Sequence, residues 1–248
     1  MLQHLGIPYV SVACHSGGTV SAVDILVHHP EILHPERPYV AIAAPWILPK
    51  HTSSTALAIA QSLPASVLNH TDKAARLINN HIGPLVGASF GISYGLAAKV
   101  LPAQTTAPAL EATAREGTRF EERIWPLVIE RIYAEGVRGL SSDAILFMQK
   151  GRTTGWSDWG DYDTAVRRIA ENLRAAGKRL TVDVFYAEKD RLIGDGGSEG
   201  PRWLDQCWAP YGDVFDYRST TVQGADHDAI WKLKWGAAQA IFQRVGVE

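Results

Sequence analysis

The sequence predicts an α/β protein built on a parallel sheet, and three observations carry that prediction. Segments of strand length recur at 7–14, 38–44, 180–187 and 214–222, the first of them an almost continuous apolar run. Helical patterns lie between neighbouring runs, as a right-handed strand–helix–strand crossover requires. From Trp46 to about Gly160 the strand signal stops and the chain becomes a string of short helical segments, which reads as an all-helical insertion. At 248 residues the chain is long enough to bury one sizeable core and still carry such an insertion.

Taken in order, Ile7 to Cys14 is an almost continuous apolar run, the pattern of a strand buried on both faces. A helix is expected at about 17–29, where Val20, Val23, Ile25, Leu26 and Val27 follow a turn and His28-His29-Pro30 closes the segment. Pro38 to Ala44 is the second strand, ending at Pro45-Trp46. In the insertion, helices are expected at 53–62, 72–82, 85–101, 108–116, 119–135 and 142–150. Their start signals are Thr71-Asp72, Thr118 with Glu121 as a capping box, and Ser141-Ser142-Asp143. Pro126 is expected to kink the longest of them. Tyr162 to Ala176 follows as an amphipathic helix stopped by Gly177. Then come the strand 180–187, a short helix at 203–208, the strand 214–222 and a closing helix over 228–245.

Composition narrows the function classes. The chain is 46% hydrophobic and 20% charged, as a globular protein is, and its net charge of −2 suggests no polyanion partner. Arg and Lys form no runs, and no nucleic-acid motif occurs. Two cysteines, Cys14 and Cys207, are too few for a disulfide scaffold, so a reducing compartment and a cytoplasmic location are expected. The amino-terminal residues lack the basic and apolar regions of a signal peptide. The apolar stretch Pro84 to Leu101 falls short of the roughly 20 residues of a membrane span and reads as a buried or lid helix. No metal or cofactor is implied: the pair Asp226/Asp228 lacks His or Cys company, and Asn69-His70-Thr71 matches a glycosylation sequon at the level of chance.

The chemistry is expected at the carboxyl ends of the strands, where open parallel sheets bind ligands. The first strand runs into Cys14-His15-Ser16-Gly17-Gly18, a turn with serine at its apex and small residues two positions to either side. A sharp strand-to-helix turn brings the chain close to itself there, and bulk at 14 or 18 would clash. The motif is G-x-S-x-G with Cys14 in place of the first glycine. Asp190 lies just past the strand 180–187, with Glu188, Asp195, Asp226 and Asp228 as rival acids. His227 lies in the loop after the strand 214–222. His15 stands on the wrong side of the turn to act as base to Ser16, and it is expected to line the pocket or to pack. Trp156, Trp159 and Tyr162 are open to two readings, a pocket wall or plain packing at the domain junction.

A serine at a strand-to-helix elbow, an acid after the next-to-last strand and a histidine after the last, in that order, resemble the α/β-hydrolase superfamily over residues 7–248. The resemblance implies an α/β-hydrolase core at 1–45 and 161–248, with a helical cap at 46–160. It implies a serine hydrolase of the carboxylesterase or lipase kind acting on a small apolar ester. Ser16 would be the nucleophile, His227 the base, Asp190 its orienting acid, and the Gly17 backbone N–H an oxyanion donor, with His15 beside the substrate. Serine rather than aspartate at the elbow argues against the dehalogenase and epoxide-hydrolase branches.

One departure is large. Family members carry several strands before the elbow and draw the second oxyanion donor from that region, whereas fifteen residues precede Ser16 here. The sequence therefore predicts a fold lacking its amino-terminal strands, as in a truncated gene model or a fragment. It also predicts weakened catalysis, because one lost donor lowers kcat by ~10² to 10³, and an edge position for the first strand. The alternative is a non-catalytic ligand-binding protein of the same fold.

Overall fold

A computed structural model describes residues 2–64, 116–135, 140–150 and 155–246. The helices expected at 72–82, 85–101 and most of 108–116, the start signal Thr71-Asp72 and the sequon at 69–71 lie outside the described residues. Four strands, β1 (Val12–Ser16), β2 (Tyr39–Pro45), β3 (Leu180–Ala187) and β4 (Phe215–Val222), form one sheet in the order β1-β2-β3-β4. Every pairing is parallel, as the sequence predicts, with Val12 opposite Val40, Ile42 opposite Val184 and Phe185 opposite Thr220.

Side chains alternate across a strand, and here both faces are buried. Val40, Ile42, Val182, Val184 and Tyr186 point into a large core shared with α1 (Gly18–His28), α5 (Tyr162–Ala176) and α6 (Glu199–Trp208). Tyr39, Ala41, Ala43, Phe185 and Ala187 point the other way, into a smaller core closed by Ile230 and by Ile241 of α7 (Ala237–Gly246). On that second face the buried strand residue Asp183 accepts from the Tyr39 hydroxyl at 3.0 Å and from Arg244 Nε at 3.2 Å, so α7 is tied to the sheet through it.

Local signals explain most boundaries. Asp161 opens α5 by accepting from the Tyr162 N–H at 2.8 Å. Gly177, at a φ of 62° that disfavours a side chain, ends it while Lys178 N–H returns to the Leu173 carbonyl. Ala165, Val166, Ile169, Ala170 and Leu173 make up its buried stripe.

Four expectations are corrected. The first strand is shorter than 7–14 and begins at Val12: Pro8 has no N–H to give, Ile7 N–H folds back to the Leu2 carbonyl, and Ile7 and Tyr9 are exposed. Thr118 is not a helix cap, because α3 (Glu116–Glu135) already runs through it, and Glu121 accepts from the Leu233 N–H at 2.9 Å instead. The helix expected at 203–208 begins earlier, at Glu199 after the turn residue Ser198. The closing helix does not span 228–245: a 3₁₀ turn at Leu233–Trp235 and Gly236 at a φ of 82° come first, and the helix proper starts at Ala237. The remaining helices, α2 (Thr55–Ser62) and α4 (Leu140–Phe147), fall close to the expected segments.

Trp156, Trp159 and Tyr162 are core rather than pocket wall. All three are at most 1% exposed and pack ring on ring. Tyr162 donates its hydroxyl to the Trp46 carbonyl at 2.7 Å, Trp46 Nε1 donates to the Phe147 carbonyl at 3.0 Å, and Trp156 Nε1 donates to the Leu146 carbonyl at 2.9 Å. The segment leaving β2 is thereby joined to both α4 and α5. Replacing Tyr162 by Phe leaves a buried carbonyl without that donor, at a cost of ~1–3 kcal/mol; urea unfolding is expected to show a lower midpoint with an unchanged slope.

Candidate active site

The site starts from a backbone irregularity. In β1, His15 lies opposite Ala43 but Ser16 lies opposite Pro45, so Ala44 is bulged out of the ladder. Ser16 and Ala44 both take positive φ, 50° and 42°, which non-glycine residues avoid. Such strain costs on the order of 1–3 kcal/mol per residue and persists only where the surroundings hold it. At Ser16 two hydrogen bonds do so: its carbonyl accepts from Thr19 Oγ1 at 2.7 Å and from the Trp46 N–H at 3.1 Å.

The small residues around the serine do different work from that expected. A methyl group at Gly18 would meet Cys14 Cβ at 3.5 Å, an ordinary contact. At Gly17 it would overlap the Phe147 ring. Of the two glycines Gly17 is the tighter, where α4 lays an aromatic ring over the turn. Burial pushes the Cys14 thiol up to about 12, so it stays protonated beneath the turn.

Three strand ends then converge. Ser16 Oγ lies 2.8 Å from His227 Nε2, and His227 Nδ1 lies 2.7 Å from Asp190 Oδ2. Asp190 is positioned by its other oxygen, which accepts from the N–H groups of Leu192 at 2.8 Å and Ile193 at 3.0 Å. The ionised carboxylate can only accept, so Nδ1 carries the histidine proton and Nε2 is left to accept from the serine hydroxyl. Burial of His227 opposes its charged form, yet the charge and hydrogen bond of Asp190, followed by the charges of Asp228 and Asp226, outweigh it and raise its pKa above 6.5. Burial likewise pushes Asp228 up to about 7, against the pull of His227.

Three of the four rival acids are engaged elsewhere. Glu188 accepts from the Gly224 N–H at 2.7 Å, Asp195 from Ser198 Oγ at 2.8 Å, and Asp226 from the Ala229 N–H at 2.8 Å. His15 points at the histidine loop, its Nε2 2.7 Å from the His227 carbonyl. Thr19, Trp46 and Phe147 were not singled out from sequence. The available signal was position: a hydroxyl residue in the first turn after the elbow and a tryptophan at the end of β2. Among the described residues no group of three or more His, Cys, Asp or Glu could hold a metal ion, and no helix is long and apolar enough to cross a membrane. A cavity lined by Leu26, Leu33, Ile169 and Leu173 lies at the opposite ends of the strands and touches none of Ser16, Asp190 and His227.

No protein-family model and no curated protein matches the chain. Among solved structures it is similar to MGS-M2, an α/β-hydrolase enzyme from a Medee basin deep-sea metagenome library, at 12% identity and a TM-score of 0.50, covering 100% of this chain and 68% of that one. It is similar to esterase E22 at 14% identity and 0.50, covering 98% and 63%. A bacterial membrane phospholipase A described as a virulence factor is matched at 10% and 0.50, covering 99% and 59%. At these identities the likeness is one of architecture, and the fold is that of the α/β hydrolases.

His227 supplies a pH test that does not require turnover. Because folding raises its pKa, its contribution to stability is complete below about pH 6.5 and is lost as pH climbs through the raised folded value. An NMR titration of the His227 ring is expected to show a midpoint above 6.5, and Asp190→Ala, which removes the largest contribution opposing burial, to lower that midpoint.

Proposed function

We propose that the protein is a serine hydrolase that cleaves a small, mostly apolar carboxylic ester through an acyl-enzyme. The observation that carries this reading is the continuous chain of hydrogen bonds from Ser16 through His227 to a buried, doubly anchored Asp190. A histidine and a carboxylate brought together for packing alone have no need of a strained serine at the end of the chain. The names of the structural neighbours, an α/β-hydrolase enzyme and an esterase, agree with it.

In this reading neutral His227 accepts the Ser16 proton through Nε2 while Oγ forms a bond to the ester carbonyl carbon. Asp190 keeps Nδ1 protonated and offsets the charge of the imidazolium that results. The carbonyl π-bond opens onto its oxygen, and the Gly17 N–H donates to that oxyanion. Its collapse expels the alcohol, which takes the proton back from His227. Water, deprotonated by the same nitrogen, then releases the acid. The Phe147 ring over Gly17 gives the acyl side an apolar wall. In this reading residues 46–160 are the cap insertion, and no metal or organic cofactor takes part.

Since the base must be neutral, kcat/KM for a p-nitrophenyl ester is expected to rise with pH through an apparent pKa above 6.5. Ser16→Ala and His227→Ala should each lower it by at least ~10³, with the double variant no worse than either, because the two act as one unit. A folded wild-type protein with no esterase activity on a series of acyl lengths would favour the non-catalytic ligand-binding alternative.

A further inference from the structure

The residue before the nucleophile faces the loop that carries the base. His15 Nε2 lies 2.7 Å from the backbone carbonyl of His227, and the two rings stand 5.4 Å apart at 48°. A carbonyl oxygen only accepts, so Nε2 carries the proton of the neutral His15 ring. We propose that His15 is a positioning residue for the base, fixing the main chain of His227 to β1 through this hydrogen bond while Ser16, the next residue of the same strand, meets the His227 ring. The proposal rests on the Ser16–His227–Asp190 reading above and gives its geometry a cause.

Among the described residues, the hydrogen bonds of residues 222–226 lead to one side. Val222 and Ala225 accept through their carbonyls from the N–H groups of Glu188 and Lys189, and Gly224 N–H donates to the Glu188 carboxylate. Asp226 turns inward to the Ala229 N–H. All of these ties lead to the segment after β3 or back into the loop itself, and none of them reaches β1. The link from His15 supplies that direction and places nucleophile and base in a common frame: one strand holds Oγ by its own backbone and holds the imidazole by its carbonyl. Burial, with the charge of His227 behind it, pushes His15 down to about 4, so its ring stays a neutral donor while His227 titrates.

The experiment compares wild type, His15→Leu and His15→Gln on a p-nitrophenyl ester, with thermal melting and the NMR signal of the His227 Nδ1 proton as parallel readouts. Leu keeps the bulk without the donor; the Gln amide nitrogen reaches about as far as the imidazole Nε2. Expected is a ~10- to 100-fold fall in kcat with little change in KM for His15→Leu, since small misplacements of a catalytic group cost that much. The Nδ1 proton signal should broaden in the same variant, and His15→Gln should recover most of both. Equal kcat in wild type and His15→Leu, a change confined to KM, or a His15→Gln no better than His15→Leu would overturn the proposal. If wild type shows no esterase activity, the catalytic reading fails and the Nδ1 signal decides the positioning role: broadening only without the donor supports it, and no change overturns it. Should His15→Leu fail to melt cooperatively, His15→Gln decides, its near-native rate and signal supporting the hydrogen bond and their loss contradicting it.

Discussion

A serine held in a left-handed backbone conformation is the constraint on which the rest of the structure depends. Ser16 can sit at a φ of 50° only because its carbonyl is gripped by the Thr19 hydroxyl and by the Trp46 N–H, one from the helix that follows and one from the neighbouring strand. Trp46 is in turn fixed through its own carbonyl by Tyr162 and through its indole by the Phe147 carbonyl. The turn is thus stabilised by a chain of contacts running through β2, α4 and α5. The same contacts bring the Phe147 ring over Gly17. Backbone strain, ring placement and helix packing are one arrangement.

The second constraint is electrostatic. A histidine 2% exposed carries a charge in that setting only with an acceptor beside it, and an isolated buried carboxylate would be costlier still. Asp190 meets both needs because two backbone N–H groups stabilise its charge before His227 is considered. Removing one member of such a pair is expensive, on the order of 3–5 kcal/mol. The burial that makes the pair costly also makes it effective, since low polarity strengthens the hydrogen bond that sets the histidine tautomer.

Much of this was legible in the sequence, and the parts that were not share a cause. Strand β2 and helix α5 follow from local signals, namely an unbroken apolar run, an aspartate before the helix and a glycine after it. That Ser16, Asp190 and His227 meet is readable because each stands at the carboxyl end of a strand. What local pattern misjudged was decided by distant partners. Glu121 looked like a capping residue and instead accepts from Leu233, 112 positions away. Cys14 and Gly18 are the positions where the sequence points to crowding, and a ring from α4 adds Gly17 to them. Residues 7–11 looked like buried strand, yet Pro8 and the turn back to Leu2 keep them outside the ladder. His15 was read as a pocket or packing residue because nothing near it in sequence indicates the His227 carbonyl, 212 positions on.

The central claim is that Ser16 is a nucleophile activated by His227. Intact-mass and peptide mapping after exposure to a fluorophosphonate tests it most directly. The account predicts a single covalent adduct on the peptide containing Ser16, absent from Ser16→Ala and from His227→Gln. A folded protein that takes up no adduct, or carries it on another residue, would contradict it.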